Sequence, residues 1–116
     1  GSIFCITSGA SLGYREGRVG YSMSKAALDR AFLSIAEEVR EHDIAVNVLS
    51  PGRVDTWMNR HGDWPGTGHI PMEQPDSINQ AAVWLAAQKA STFTGQRVER
   101  AEFGTEWGPG IVVPVP

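Results

Sequence analysis

Hydrophobic positions divide this chain into segments of different period. Ile3, Phe4, Cys5 and Ile6 form an apolar run without helical spacing between Gly1 and Thr7, which predicts a buried strand. Ser8-Gly9-Ala10-Ser11 then reads as a small-residue turn, followed by a Gly- and Arg-bearing loop over residues 13–20. From Val19 to Glu41 the period lengthens: Leu28, Phe32, Ile35 and Val39 recur at i, i+4, i+7 and i+11, with Arg30, Glu37, Glu38 and Arg40 off that line. This predicts an amphipathic helix whose apolar stripe faces a sheet. Ile44 to Leu49 is a second buried-strand candidate, ended by Ser50-Pro51-Gly52. Residues 52–75 carry Trp57, Met58 and Trp64 but no period, the signature of a flap over something apolar. Pro75-Asp76-Ser77 opens a further helix, which Ile78, Ala81, Ala82 and Leu85 continue towards Lys89. Thr94-Gly95-Gln96 turns into a short, more polar strand from Arg97 to Phe103, and residues 104–116, rich in Gly and Pro, form an irregular tail. Alternating strands and helices imply βαβ units with right-handed crossovers, and so a parallel sheet with helices on its faces.

Composition narrows the classes. The 116 residues allow one domain, and 41% hydrophobic with 20% charged residues suits an ordinary soluble globular chain. A net charge of -3 leaves no electrostatic footprint for nucleic acid. There is no apolar span of membrane length and no basic leader, so neither membrane insertion nor secretion is expected. Cys5 is the single cysteine; it can form no internal disulfide and reads as a buried thiol in a reducing, cytoplasmic setting. His42, His61 and His69 lack metal-ligand spacing, so no metal is expected.

The candidate chemistry lies in Tyr21-Ser22-Met23-Ser24-Lys25, with Ser8 thirteen residues before the tyrosine. On a helix, Tyr21 and Lys25 share one face about one turn apart. An ammonium that close favours the ionised form of a phenol, which suits the tyrosine to proton exchange. A hydroxyl delivered from a strand end, Ser8, could hold a carbonyl oxygen beside it. Tyr–Lys pairs at this spacing are common by chance, so the rest of the chain decides their meaning. Arg15, Glu16 and Arg18 read as a solvated loop, Trp84 as a packing residue, and Trp57 and Trp64 as equally open to flap packing or substrate contact.

Taken together, these segments resemble the C-terminal catalytic half of a short-chain dehydrogenase/reductase. Ile3 to Ser8 is similar to that family's strand ending in a catalytic serine, and Tyr21 to Ala27 to its Tyr-x-x-x-Lys helix. Val46 to Thr56, with Pro51-Gly52, looks like the next strand and turn; Pro75 to Ala87 and Phe93-Thr94-Gly95-Gln96 follow the penultimate helix and entry to the final strand. The resemblance implies an α/β fold made of the last three strands, with their helices, of a doubly wound Rossmann-type parallel sheet. It implies an oxidoreductase interconverting an alcohol and a ketone or aldehyde with NAD or NADP. Tyr21 would be the acid–base and Ser8 would polarise the substrate oxygen. Lys25 would hold the nicotinamide ribose, with Tyr21, Pro51, Gly52, Val54 and Thr56 also lining the cofactor. The expected partner is a small alcohol or carbonyl substrate, without nucleic acid or membrane. The family's habit of pairing through the tyrosine helix implies a homodimer or homotetramer at full length, here with Ala27, Ala31 and Ser34 as the exposed small residues.

Some family features are missing. No Gly-rich dinucleotide turn follows a strand, the acidic or basic reader of the adenosine ribose is absent, and so are the Asn-Asn-Ala-Gly strand end and the helix asparagine. Arg100 stands where the family carries an aliphatic residue. The chain also opens directly on a strand without an initiator methionine. These points lead us to expect residues 1–116 to be the C-terminal part of one Rossmann domain, inactive when isolated. The alternative is a non-catalytic interaction or assembly module that keeps half the fold.

Overall fold

Three strands run parallel in the order β1 (Ser2–Ile6), β2 (Ala45–Ser50), β3 (Arg97–Glu99). Ile3 stands opposite Val46 and Ile6 opposite Leu49, while Leu49 faces Val98 on the other side. The computed structural model describes residues 1–114; Val115 and Pro116, the end of the expected tail, lie outside them. The architecture is the expected α/β arrangement of a partial Rossmann-type sheet. Among the described residues no helix is long and apolar enough to cross a membrane.

All six residues of β2 are buried, as a central parallel strand covered on both faces requires. Asn47 sits among them fully buried and fully engaged: its amide nitrogen donates to the Phe93 carbonyl at 3.1 Å, and its side-chain oxygen accepts from the Gln96 amide at 3.1 Å. The strand is thereby tied to the loop that delivers β3. Asn47→Leu would fill the space but strand those two loop groups, so urea unfolding should show a loss of about 1–3 kcal/mol.

Helix α1 (Val19–Glu38) covers one sheet face. Its buried residues are Asp29 and Ala36, two turns apart on one line, whereas Ile35 is 38% exposed. The inward face therefore lies one residue round from the apolar stripe. An ion pair lies on that inward line: Arg97 on β3 donates through Nε to Asp29 Oδ2 at 3.0 Å, which satisfies a carboxylate at a buried position beside the apolar stripe. Burial opposes the Arg97 charge, but the hydrogen bonds from Glu99 and Asp29 outweigh it and raise its pKa.

The helix gives way at Arg40–His42 to a tight 3-10 turn, and Asp43 follows in the left-handed region at φ 53°. Its carboxylate accepts the Ser91 amide at 2.8 Å, and this backbone bond holds its pKa below the ordinary value of 3.8. A depressed carboxylate contributes stability above its unfolded pKa and loses it as pH falls through the lower folded one. Acid unfolding should accordingly be shallower below about pH 3.8 in Asp43→Asn than in the parent chain.

The other sheet face is covered by α3 (Asn79–Ala86), entered through a 3-10 turn over Pro75–Ile78. Ala81 and Leu85 meet Leu49, Phe93, Val98 and Trp107 in the main core. Trp107 comes from the segment expected to be irregular, yet it is 2% exposed. Its indole N–H donates to the Glu99 carbonyl at 2.8 Å, and Trp84, Phe93 and Phe103 surround the ring with centroids 4.9–6.0 Å away. The tail thus closes the core through one aromatic side chain. β3 ends at Glu99 rather than Phe103 because the chain turns into a 3-10 segment at Arg100, whose guanidinium lies 3.9 Å from Glu73 in the flap.

Candidate active site

β1 and β2 end side by side, and the chain leaves them through Ser8 and through Pro51-Gly52. A cleft of about 440 Å³ opens beyond those ends, the place where open α/β sheets receive ligands. Ser8, Tyr21, Lys25, Pro51, Gly52, Val54 and Thr56, the seven residues selected from the sequence, all line it.

Ser8 caps the 3-10 turn Gly9–Ser11 from an extended backbone, and its Oγ accepts the Ala10 amide at 3.1 Å. One lone pair is committed and the hydroxyl proton is left to donate. Arg97 reaches across to the same loop, donating to the Ser8 carbonyl at 3.0 Å and to Ser11 Oγ at 3.2 Å. A guanidinium already locked to Asp29 and Glu99 therefore fixes where the serine stands.

Tyr21 lies in the first turn of α1 and Lys25 in the next. The ammonium is 5.9 Å from the phenol ring centroid and donates to the Ile6 carbonyl at 3.2 Å. The helical pair is thus also anchored to the end of β1. Cys5, nearby on the strand, is half-buried and outside the cleft lining; burial pushes its thiol pKa up.

Gly52 adopts φ 79°, and a Cβ there would meet nothing within 4 Å, so the backbone rather than crowding calls for glycine. The flap then doubles back: the Asp55 amide donates to the Glu73 carbonyl, and the Glu73 amide to the Arg53 carbonyl, both at 2.8 Å. Thr56 begins the short helix α2 (Trp57–His61), accepting the Asn59 amide at 3.4 Å, and Asn59 Nδ2 donates to the Val54 carbonyl at 2.7 Å. These bonds hold Val54 and Thr56 against the cleft.

The two flap tryptophans part company. Trp57 is 74% exposed and stacks on His61, away from the cleft. Trp64 forms part of the wall, with its indole N–H on the Met58 carbonyl at 3.0 Å and its ring centroid 5.6 Å from that of Tyr21. Gly62 makes room for that indole, since a Cβ there would come within 2.1 Å of Nε1. Arg18 also lies against Trp64, its guanidinium 4.9 Å from the ring centroid. Arg18 and Arg15 both line the cleft, so part of the loop expected to be solvated belongs to the site. No periodicity marks this pairing, because loop and flap meet only through the fold.

A family model described as enoyl-(acyl carrier protein) reductase matches residues 1–99. The chain belongs to the short-chain dehydrogenase/reductase family. It is 43% identical over 108 residues to a 3-oxoacyl-[acyl-carrier-protein] reductase of Aggregatibacter actinomycetemcomitans, covering 83% of this chain and 42% of that one. It is 36% identical over 110 residues to the uncharacterized oxidoreductase YgfF of Escherichia coli K12, covering 87% and 44%. Among solved structures, acetoin dehydrogenase YohF of Salmonella typhimurium superposes with a TM-score of 0.69 at 33% identity over 85% of this chain and 42% of that one. A Beutenbergia cavernae structure with bound NADP, assigned as an NAD(P) dependent gluconate 5-dehydrogenase, gives 0.74 at 27% identity over 86% and 44%. The chain therefore spans less than half the length of these family members.

Proposed function

We propose that this chain supplies the catalytic side of an NAD(P)-dependent oxidoreductase interconverting an alcohol and a ketone or aldehyde, with Tyr21 as the proton carrier. The observation that carries this reading is the convergence of the Tyr21 phenol, the Ser8 hydroxyl and the Lys25 ammonium on one cleft at the strand ends. The residues present fit a nicotinamide nucleotide. After its bond to Ile6, Lys25 keeps two N–H directions for ribose hydroxyls. Gly52 presents bare backbone beside open space, and Thr56 retains a hydroxyl proton for a carboxamide. When bound, the cofactor supplies the two-electron exchange with the substrate carbon.

In the reducing direction Ser8 donates its hydroxyl proton in a hydrogen bond to the carbonyl oxygen and orients it towards Tyr21. The phenol then gives its proton to that oxygen as negative charge gathers on it; in oxidation the phenolate takes the proton back. The Lys25 ammonium stabilises the charge left on the phenol. Trp64 and Ile70 line the flap side of the cleft and reduce water access during the transfer.

The test is NAD(P)H oxidation at 340 nm by the protein that carries this chain, offered a panel of ketones and aldehydes. Cofactor-dependent turnover is expected, and Ser8→Ala should lower kcat by about 10²–10³-fold through loss of one donor to the developing oxyanion. Absence of turnover in both directions across the panel would refute the reading and favour a non-catalytic module.

A further inference from the structure

The cleft and the chain differ in charge. The chain as a whole carries -3, yet the cleft is lined by four cations, Arg15, Arg18, Lys25 and Arg53, and by one carboxylate, Glu99. Glu99 is already taken, accepting from Arg97 Nη1 at 2.7 Å. Glu16, between the two loop arginines in sequence, is exposed and outside the lining. Among the described residues none of the four cations has an acidic partner. Lys25, Arg53 and Arg15 rest on the carbonyls of Ile6, Ile70 and Gly66, which satisfy donors but leave the charge uncompensated.

Arg18 is the extreme case. Its Nε and Nη2 are buried and find no acceptor in the protein, while its guanidinium lies against Trp64. Stacking fixes the plane of the group and supplies a modest cation–π attraction, but it cannot replace the hydrogen bonds of an acceptor. Arg18 is half-buried, and leaving two of its buried donors without an acceptor is costly, whereas a guanidinium fork matches the two oxygens of a carboxylate. Trp64 also lies against Tyr21, so Arg18 and the phenol both rest on one indole. An anion on Arg18 would thus be held at a set separation from a carbonyl beside Tyr21.

We infer that the cleft takes a substrate carrying a carboxylate remote from its reacting carbonyl, with Arg18 as the receiving group and Arg15 in support. Calling this ligand a substrate rests on the oxidoreductase reading; the anion site itself does not. The nucleotide's own phosphates are the rival source of negative charge, and the experiment separates the two.

The probes are levulinate and methyl levulinate, the same ketone with and without its charge, titrated into the protein carrying this chain while tryptophan fluorescence is followed, with and without saturating NADP. Levulinate should bind at least about tenfold more tightly than the ester, the scale of one charge-assisted hydrogen-bonded contact, and NADP should not displace it. Arg18→Gln should bring the acid-to-ester ratio down to about one, and Arg18→Lys should keep part of it, because the charge remains and the fork is lost. Circular dichroism on both variants confirms the fold is intact. Equal binding of acid and ester, no binding of levulinate at millimolar concentration, a ratio that survives in Arg18→Gln, or displacement of levulinate by NADP would each overturn the inference. Acid-selective binding by a protein that turns over no ketone or aldehyde of the panel in either direction would remove the Tyr21 reading and leave the anion site; turnover of both ketones without selectivity would do the reverse.

Discussion

Replacing Tyr21 by phenylalanine in the protein that carries this chain is expected to lower turnover by about 10²–10⁴-fold, the range over which a positioned proton donor acts. The substitution is narrow. Phenylalanine keeps the ring beside Trp64, at 5.6 Å in the parent, so the cleft wall and the Arg18 stack persist and only the hydroxyl goes. Because the lost interaction is made in the transition state, kcat and kcat/KM should fall together while the Kd for NADP changes little. Steady-state kinetics alongside a cofactor titration read both quantities. An unchanged kcat would remove Tyr21 from the proton-transfer step.

Arg97→Met should have the largest effect on stability. The side chains of Arg97 and Asp29 are 14% and 10% exposed, and removing the cation leaves a nearly buried carboxylate without its partner. Breaking a buried pair on one side costs about 3–5 kcal/mol, and Tm should fall accordingly in calorimetry. The double substitution Asp29→Leu with Arg97→Met is expected to recover most of that loss, since it removes both charges and refills the volume. A single Arg97→Met variant as stable as the parent would mean the pair is solvated and holds nothing together. The same variant should also lower kcat in the proposed reaction, because Ser8 would lose the bond to its carbonyl that fixes its loop.

Much of this was legible along the chain. The order of strands and helices followed from apolar runs and their breakers, with Pro51-Gly52 closing β2, although β3 stops at Glu99 rather than Phe103; the seven residues that the family resemblance singles out all line one cleft. What escaped depends on pairing across long sequence separations. Asp29 carries no local mark of burial, and its place is set by Arg97, sixty-eight positions later. Trp107 sits among glycines and prolines, and only the gap between α3 and the sheet makes it a core residue. Arg18 reads as loop decoration because the indole covering it comes from a flap without period. In each case the position of the residue is set by a partner distant in sequence, which no local pattern reveals.

The last carbonyl of β1 has a consequence for the ammonium. Gly1 and Thr7 turn their peptide groups to β2, through the Ala45 amide and the Leu49 carbonyl, so the peptide of Ile6 points to the opposite, open flank of the sheet. There it accepts Lys25. A fourth strand laid along that flank would claim the same oxygen, and Lys25 would give up its strand contact and turn all three of its protons to the cleft.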